Sequence, residues 1–370
     1  MATLRSIFVV TKLRGRKGWG IMAEQRRAVA LISGGLDSML AAKAIIDQGI
    51  QVEGVNFFTG FCVEGHTSAI RQTPKKRPHN ALWVAEQLGI KLQIVDVIEE
   101  YKDIVLNPKH GYGANLNPCL DCKVFMVNKA LSLSVLKRGQ FDFIITGEVI
   151  GQRPKSQRKD TMPLIARESQ ADDLLLRPLS AKLLPPTLPE REAWIDRSRL
   201  YGFHGRNRKP QIELAKSFGF TEWAQPAGGC CFLTDRQYSK KLADLWDYRK
   251  SRDYDFDDIM LLKVGRHIRP NSNFKIIIAR EDAENRYLSG YRRRFISVYA
   301  TSHNGPLSLI DGIPKNDDLA LAARIVARYG QGRETSKVEV TIEHPNGTKN
   351  SLEVKPLPSD EIAVEWHVGK

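Results

Sequence analysis

Nothing in these 370 residues approaches the run of about 20 apolar residues that a membrane helix needs, so no membrane partner is expected. No apolar stretch of secretory length lies near the start either. Cysteine is scarce. The five residues, at 62, 119, 122, 230 and 231, are an odd number and do not read as a disulfide framework. They read instead as reactive or metal-ligating thiols in a reducing compartment, and a cytoplasmic protein is expected. Internal repeats and low-complexity tracts are absent. Acidic residues are outnumbered 42 to 56, a net charge of +14 that favours a polyanionic partner.

Part of that charge sits in residues 1–27, where seven cations face Glu24 alone and no capping or core pattern is visible. This segment reads as a disordered extension or a misplaced start. Beyond it, strand signals recur at Ala28–Ile32, Val52–Phe58, Leu92–Val97 and Phe141–Thr146. Helical patterns lie between them at Met39–Gln48, Ala81–Leu88 and Cys119–Lys137. The alternation predicts an α/β domain over 28–240, a parallel twisted sheet with helices on both faces. Ligands in such sheets sit outside the carboxyl ends of the strands, so the segments after 32 and after 146 can reach one crevice. Two helical stretches are expected around Glu190–Tyr201 and Asn207–Phe218.

The texture changes after a helical linker at Gln237–Lys250. Strands are expected at Ile259–Val264, Lys275–Ala279, Val338–Ile342, Leu352–Val354 and Ile362–Trp366, with a helix at Asp317–Tyr329 and a hairpin turn at Asn346-Gly347. This predicts a smaller α+β domain over 255–370, with the boundary near 240–255.

Between the first strand and the first helix lies Ser33-Gly34-Gly35-Leu36-Asp37-Ser38. A glycine-rich turn there aims backbone N–H groups outward, and the helix N-terminus adds partial positive charge: an anion seat. Without a Cβ, Gly34 and Gly35 let a phosphate approach the backbone. Ser33 and Ser38 can donate to phosphate oxygens, and Asp37 makes sense there as a ligand to a metal or to metal-bound water. The loop lacks the lysine of the G-x-x-x-x-G-K-[ST] pattern.

Pro118-Cys119-Leu120-Asp121-Cys122 opens a helix, which places both thiols on one face of its first turn. The helix N-terminus and Lys123 favour thiolate there. Cys230 and Cys231 follow a Gly-Gly turn that can bring in a third sulfur. Three convergent cysteines suit a reactive pair with a resolving partner and equally a [4Fe–4S] cluster with one iron open. Cys62 reads as structural, or as facing the same crevice. The polar, basic stretch from Gly151 to Asp173, with Arg153, Lys155 and Arg158, reads as a long loop, functional or disordered.

Taken together, Ser33–Ser38, Asn117–Lys123, Ile145-Thr146-Gly147-Glu148, Leu176-Arg177-Pro178-Leu179 and Gly229-Cys230-Cys231-Phe232 resemble the tRNA thiouridylases of the 2-thiouridine and 4-thiouridine type, which are ATP pyrophosphatases of the PP-loop class. Two departures stand out: Glu148 replaces the histidine of the 2-thiouridylases, and two cysteines stand where one is usual. Leu262–His267 with Glu284, Asn285 and Leu288 resembles the RNA-binding domain of NFACT-type proteins. The alternative there is a generic dimerisation domain.

The resemblance implies ATP-dependent tRNA thiolation with Mg²⁺, and a cysteine desulfurase or inorganic sulfide as sulfur donor. It implies nucleotide contacts at Ser33, Gly34, Gly35, Leu36, Asp37, Ser38 and Gly147. The catalytic residues would be Asp37, Cys119, Cys122 and Cys230 or Cys231; Arg153, Lys155 and Arg158 would hold the RNA backbone or the nucleotide, and Arg266 and His267 would also contact RNA. Two other readings stay open: an adenylating ligase acting on a small carboxylate, and a non-catalytic RNA- or ribosome-binding protein.

Overall fold

A computed structural model describes residues 25–63, 80–136, 141–223 and 231–370. The described residues fall into two compact units, one ending at 223 and the other running from Cys231 to Lys370. No described helix is long and apolar enough to cross a membrane.

The first unit is built on β1 (Arg27–Leu31), β2 (Gln51–Phe58), β3 (Leu92–Asp96), β4 (Phe143–Ile145) and β5 (Leu175–Leu176). All pairings are parallel and the spatial order is β3-β2-β1-β4-β5. The chain leaves β1 towards β2 and β3, then returns to lay β4 on the other side of β1. Order therefore reverses between β1 and β4, the place where such sheets bind ligands.

The helices of this unit are α1 (Leu36–Ile46), α2 (Asn80–Leu88), α3 (Ile98–Leu106), α4 (Cys119–Leu136), α5 (Thr161–Glu168), the single turn α6 (Leu188–Arg191) and α7 (Lys209–Ser217). Alternate residues of the central strands go to opposite faces. Ala28, Ala30, Ile32, Phe143 and Ile145 join one core with α1, α2 and α7. Val29 and Ile144 are buried on the other face, where α4 packs on β1 and β4 beside α3 and α5. This is the expected doubly covered parallel sheet. Eight of the eleven residues of α1 are buried, which is why its sequence, LDSMLAAKAII, is apolar on nearly every side. The long helix expected at Glu190–Tyr201 is replaced by α6 and a 3₁₀ turn at Arg197–Arg199. Ala193, at φ +52°, leaves helical geometry between them.

The second unit contains α8 (Arg236–Arg249), α9 (Phe256–Leu261), β6 (Arg266–Ile268), β7 (Phe274–Ile278), α10 (Asp282–Ser289), β8 (Ile296–Ala300), β9 (Ser308–Gly312), α11 (Asn316–Arg328), β10 (Val338–Glu343), β11 (Lys349–Val354) and β12 (His367–Val368). Its strands form one antiparallel sheet in the order β11-β10-β8-β9-β7-β6-β12, with α11 packed on one face. Asn346-Gly347 turns the β10–β11 hairpin, Gly347 at φ +88°.

Two strand expectations fail here. Ile259–Val264 begins inside α9, because Asp255 and Asp258 form a reciprocal capping box that starts a helix. Four of its five apolar residues, Ile259, Leu261, Leu262 and Val264, are buried, so periodicity could not separate helix from strand. Ile362–Trp366 carries a 3₁₀ turn, and only His367–Val368 pairs with β6.

Candidate active site

The turn after β1 is ordered by its own side chains. Gly34 takes φ +80°, Ser38 Oγ donates to Gly35 O at 2.8 Å, and Ser33 Oγ lies 3.3 Å from Ser38 Oγ. Asp37 sits in the first turn of α1, where the helix dipole favours its charge. Gly147, just past β4, presses against this turn. A Cβ there would lie 2.5 Å from the Asp37 carbonyl carbon and from Ser38 N. Only glycine allows that approach, and it brings the two strand ends into one seat.

Asp37 is held from two sides. Gln152 Nε2 donates to its Oδ2 at 2.6 Å, and Gln211 Nε2 donates in turn to Gln152 Oε1 at 3.0 Å. Its Oδ1 is buried without a hydrogen-bond partner, 3.6 Å from an Arg208 guanidinium nitrogen. A hard carboxylate oxygen that takes no hydrogen bond, beside a phosphate seat, fits Mg²⁺, which commonly takes one or two carboxylates and completes its shell with water and substrate phosphate.

Behind the seat, Glu148 and Arg177 form a buried ion pair at 3.0 Å, supported by Thr146 Oγ1 at 3.1 Å and by the Met162 carbonyl on Arg177. Burial alone would push the Glu148 carboxyl up. Arg177 and Lys123 outweigh it and hold the group below its ordinary range. The glutamate that departs from the thiouridylase pattern is thus an anchor joining the ends of β4 and β5.

Cys119 and Cys122 open α4, three residues apart and both partly exposed. Cys119 Sγ donates to Ser156 Oγ at 3.2 Å, and Ser156 is wholly buried. Cys62 stays local, with Thr59 Oγ1 at 3.5 Å. Cys230 lies outside the described residues, and Cys231 opens the second unit. Among the described residues, no group of three histidine, cysteine or acidic side chains converges to hold a metal. Of the three cysteines expected to hold a cluster, Cys119 and Cys122 share the first turn of α4, and Cys230 lies outside the described residues.

In the loop between β4 and α5, Lys155 Nζ donates to the Tyr112 carbonyl at 3.0 Å. Arg158 is paired with Asp160 through two bonds, and Arg153 is half-exposed. Sequence reasoning singled out these cations and passed over Gln152, Ser156, Arg208 and Gln211, whose roles arise from long-range contacts.

The second unit holds a cavity of about 1300 Å³ walled by Lys241, Arg266, Arg328, Arg333 and Lys370, with Glu281 and Asp282 also on its wall. Arg266 is exposed and lies over the Tyr329 ring at 5.2 Å. Burial, with help from Arg280 and Lys275, lowers the Lys241 ammonium to about 8. His267 also lines this cavity, though little of it is exposed. It is 2% exposed, its Nε2 lies 2.9 Å from the Val264 carbonyl, and burial pushes it well below its ordinary value. Alternation along β6 turns Arg266 out and His267 in.

Residues 26–185 match the family described as tRNA methyl transferase HUP domain, and residues 265–367 match the NFACT protein RNA binding domain. The tRNA-specific 2-thiouridylase MnmA of Mesoplasma florum is 25% identical over 66% of this chain and 65% of its own length. That of Thiobacillus denitrificans is 28% identical over 58% of this chain and 57% of its own. That of Malacoplasma penetrans is 23% identical over 92% of this chain and 91% of its own. The chain thus spans less than two thirds of the first two relatives. Over its first unit the chain is similar to PP-loop tRNA 2-thiouridylases, and over its second to NFACT-type RNA-binding domains.

Proposed function

We propose that the chain is an ATP-dependent tRNA thiouridylase. A uracil carbonyl oxygen is a poor leaving group. Attack of that oxygen on the α-phosphorus of ATP expels pyrophosphate and makes the oxygen part of AMP. The terminal sulfur of a cysteine persulfide, transferred to the thiol from the persulfide of a cysteine desulfurase, then attacks the ring carbon, and AMP departs with the oxygen. A second thiol attacks the protein–base disulfide, releasing the thio-base and leaving a protein disulfide for an external thiol to reduce. The Ser33–Ser38 turn receives the phosphates, and the first turn of α1 stabilises the charge that develops on them. Mg²⁺ bound at Asp37 Oδ1 would neutralise the departing pyrophosphate. Cys119 and Cys122 supply the thiols, with Cys230 or Cys231 as a further candidate. The basic cavity of the second unit would grip tRNA by its phosphates, and the target base would be splayed out to react.

The observation that carries this reading is the Cys119–Ser156 contact. It sets the cysteine pair against the same loop whose Gln152 grips Asp37.

The test gives the full chain unmodified tRNA, Mg-ATP, a cysteine desulfurase with cysteine as persulfide donor and a thiol reductant, then measures thionucleosides by mass spectrometry alongside AMP and pyrophosphate. ATP-dependent sulfur in tRNA is expected, falling about 100-fold or more in Cys119→Ala, as removal of a covalent catalyst does. AMP formation without sulfur in tRNA, unaffected by Cys119→Ala, would instead favour an adenylating ligase.

A further inference from the structure

The loop from Ile150 to Asp160 touches both halves of the proposed chemistry. Gln152 donates to Asp37 Oδ2 at 2.6 Å, and Ser156, four residues on, accepts from Cys119 Sγ at 3.2 Å. Four peptide links span at most roughly 14 Å, so the nucleotide seat and the thiol lie one short segment apart. That segment is closed on itself. Gly151 N–H donates to Gln157 O at 2.6 Å, a bond that brackets both residues. Its base is fixed from outside as well: Ile150 N–H donates to Ser180 Oγ at 3.0 Å, and Gly205 N–H donates to Ile150 O at 2.6 Å.

The orientation of Gln152 is determined by its partners. A carboxylate only accepts, so the amide nitrogen must face Asp37, and the amide oxygen then takes the Gln211 donor. Gln211 is wholly buried on α7, and this backing cannot be replaced by water without opening the core. Ser156 is equally buried, and its hydroxyl can accept from the Cys119 thiol or donate to the thiolate. Asp37 Oδ1 and Arg208 Nε are buried without hydrogen-bond partners, so the point where a phosphate or cation would arrive is held ready but not satisfied.

We propose that Gln152 and Ser156 are positioning residues that couple occupancy of the nucleotide seat to the state of the Cys119 thiol. This rests on the thiouridylase reading of the two half-sites. A ligand engaging Asp37 Oδ1 and Arg208 moves the carboxylate. Gln152 follows it, and the Gly151–Gln157 closure carries the displacement to Ser156 and so to Cys119. Sulfur is then presented once the base is being activated, not before. Coupling of this kind requires two arrangements of one connected network, which a double perturbation can expose.

The experiment measures iodoacetamide alkylation of Cys119, resolved by peptide mass spectrometry in the full chain, with and without a non-hydrolysable ATP analogue and Mg²⁺. Analogue binding is followed separately by fluorescence. In the unsubstituted chain the analogue is expected to change the Cys119 rate about fivefold or more, a typical coupling between sites. Gln152→Ala and Ser156→Ala are expected to abolish that ratio under saturating analogue, and Ser156→Thr, which keeps a hydroxyl, to restore it. Gln152→Met, of similar shape, replaces Gln152→Ala should the latter fail to fold. A preserved ratio in the alanine variants overturns the proposal, as does analogue binding with no change in rate. Absence of analogue binding overturns the functional reading and the proposal together. Loss of the ratio in the variants of a chain that makes no thionucleoside supports the coupling and sinks the thiolation reading alone.

Discussion

Glu148 is one of two departures from the 2-thiouridylase pattern that the sequence resembles, standing where that pattern carries a histidine after Thr-Gly. Glu148 is 1% exposed, and its charge is sustained by Arg177 at 3.0 Å. Removing one partner strands the other as an uncompensated buried charge, which typically costs about 3–5 kcal/mol. Arg177→Met is therefore expected to lower unfolding stability in urea by that amount, and Glu148→Gln combined with Arg177→Met to recover much of it. The pair also sets an acid limit. The folded carboxyl lies below its ordinary value of 4.5, so its contribution is complete above that value and is lost as pH falls through the lower, folded one. Urea midpoints below about pH 4.5 should fall less steeply in Glu148→Gln than in the unsubstituted chain. Equal slopes would show that the ion pair is not an acid-sensitive anchor.

Among the elements, the junction of β1, α1 and β4 is where sequence and structure agree most closely. Short apolar strands alternating with helices required a parallel sheet, and the chain's return to β1 created the crevice that the Ser33–Ser38 turn was expected to line. Gly147 shows how tightly this junction is built. An added methyl would meet backbone at 2.5 Å, with no flexible side chain to yield. Gly147→Ala is expected to cost about 1–3 kcal/mol through overpacking. It should also weaken ATP-analogue binding in calorimetry by about tenfold, because the α1 N-terminus must shift. Unchanged affinity would mean that the seat is not where the two loops meet.

Other elements were not legible, for identifiable reasons. Ile259–Val264 is buried at every position but Met260 and shows no clear period, so its capping box decided the outcome. Gln152 reaches Asp37 across 115 positions, and Ser156 meets Cys119 across 37. Such polar pairings leave no periodic trace in a sequence. The basic loop drew attention to its arginines and lysines, whereas its uncharged residues make the buried contacts.

At the scale of the whole molecule, residues 231–370 carry only +3 of the net +14, so a polyanion would be held there by cations gathered at one cavity rather than by an overall excess. The cavity of about 1300 Å³ presents Arg266 over Tyr329, a guanidinium–aromatic platform suited to a phosphate and an adjacent unstacked base. If tRNA is held there, affinity must fall with salt as counterions are released. Arg266→Ala should then flatten the slope of log affinity against log salt by about 0.7–0.9, one phosphate contact's worth. Lys241 adds a pH signature. Its ammonium titrates near 8, with Arg280 and Lys275 repelling it and Glu284 and Asp235 drawing its value back up. Below that value it is a cation facing phosphate; above it the attraction disappears. A phosphate bound nearby raises the lysine's pKa, so binding takes up a proton and affinity declines as pH rises through about 8. Lys241→Arg keeps its charge throughout this range, so filter-binding titrations of that variant between pH 7 and 9.5 should be flat where the unsubstituted chain declines. A decline of equal size in the arginine variant would place the tRNA phosphates elsewhere on the protein.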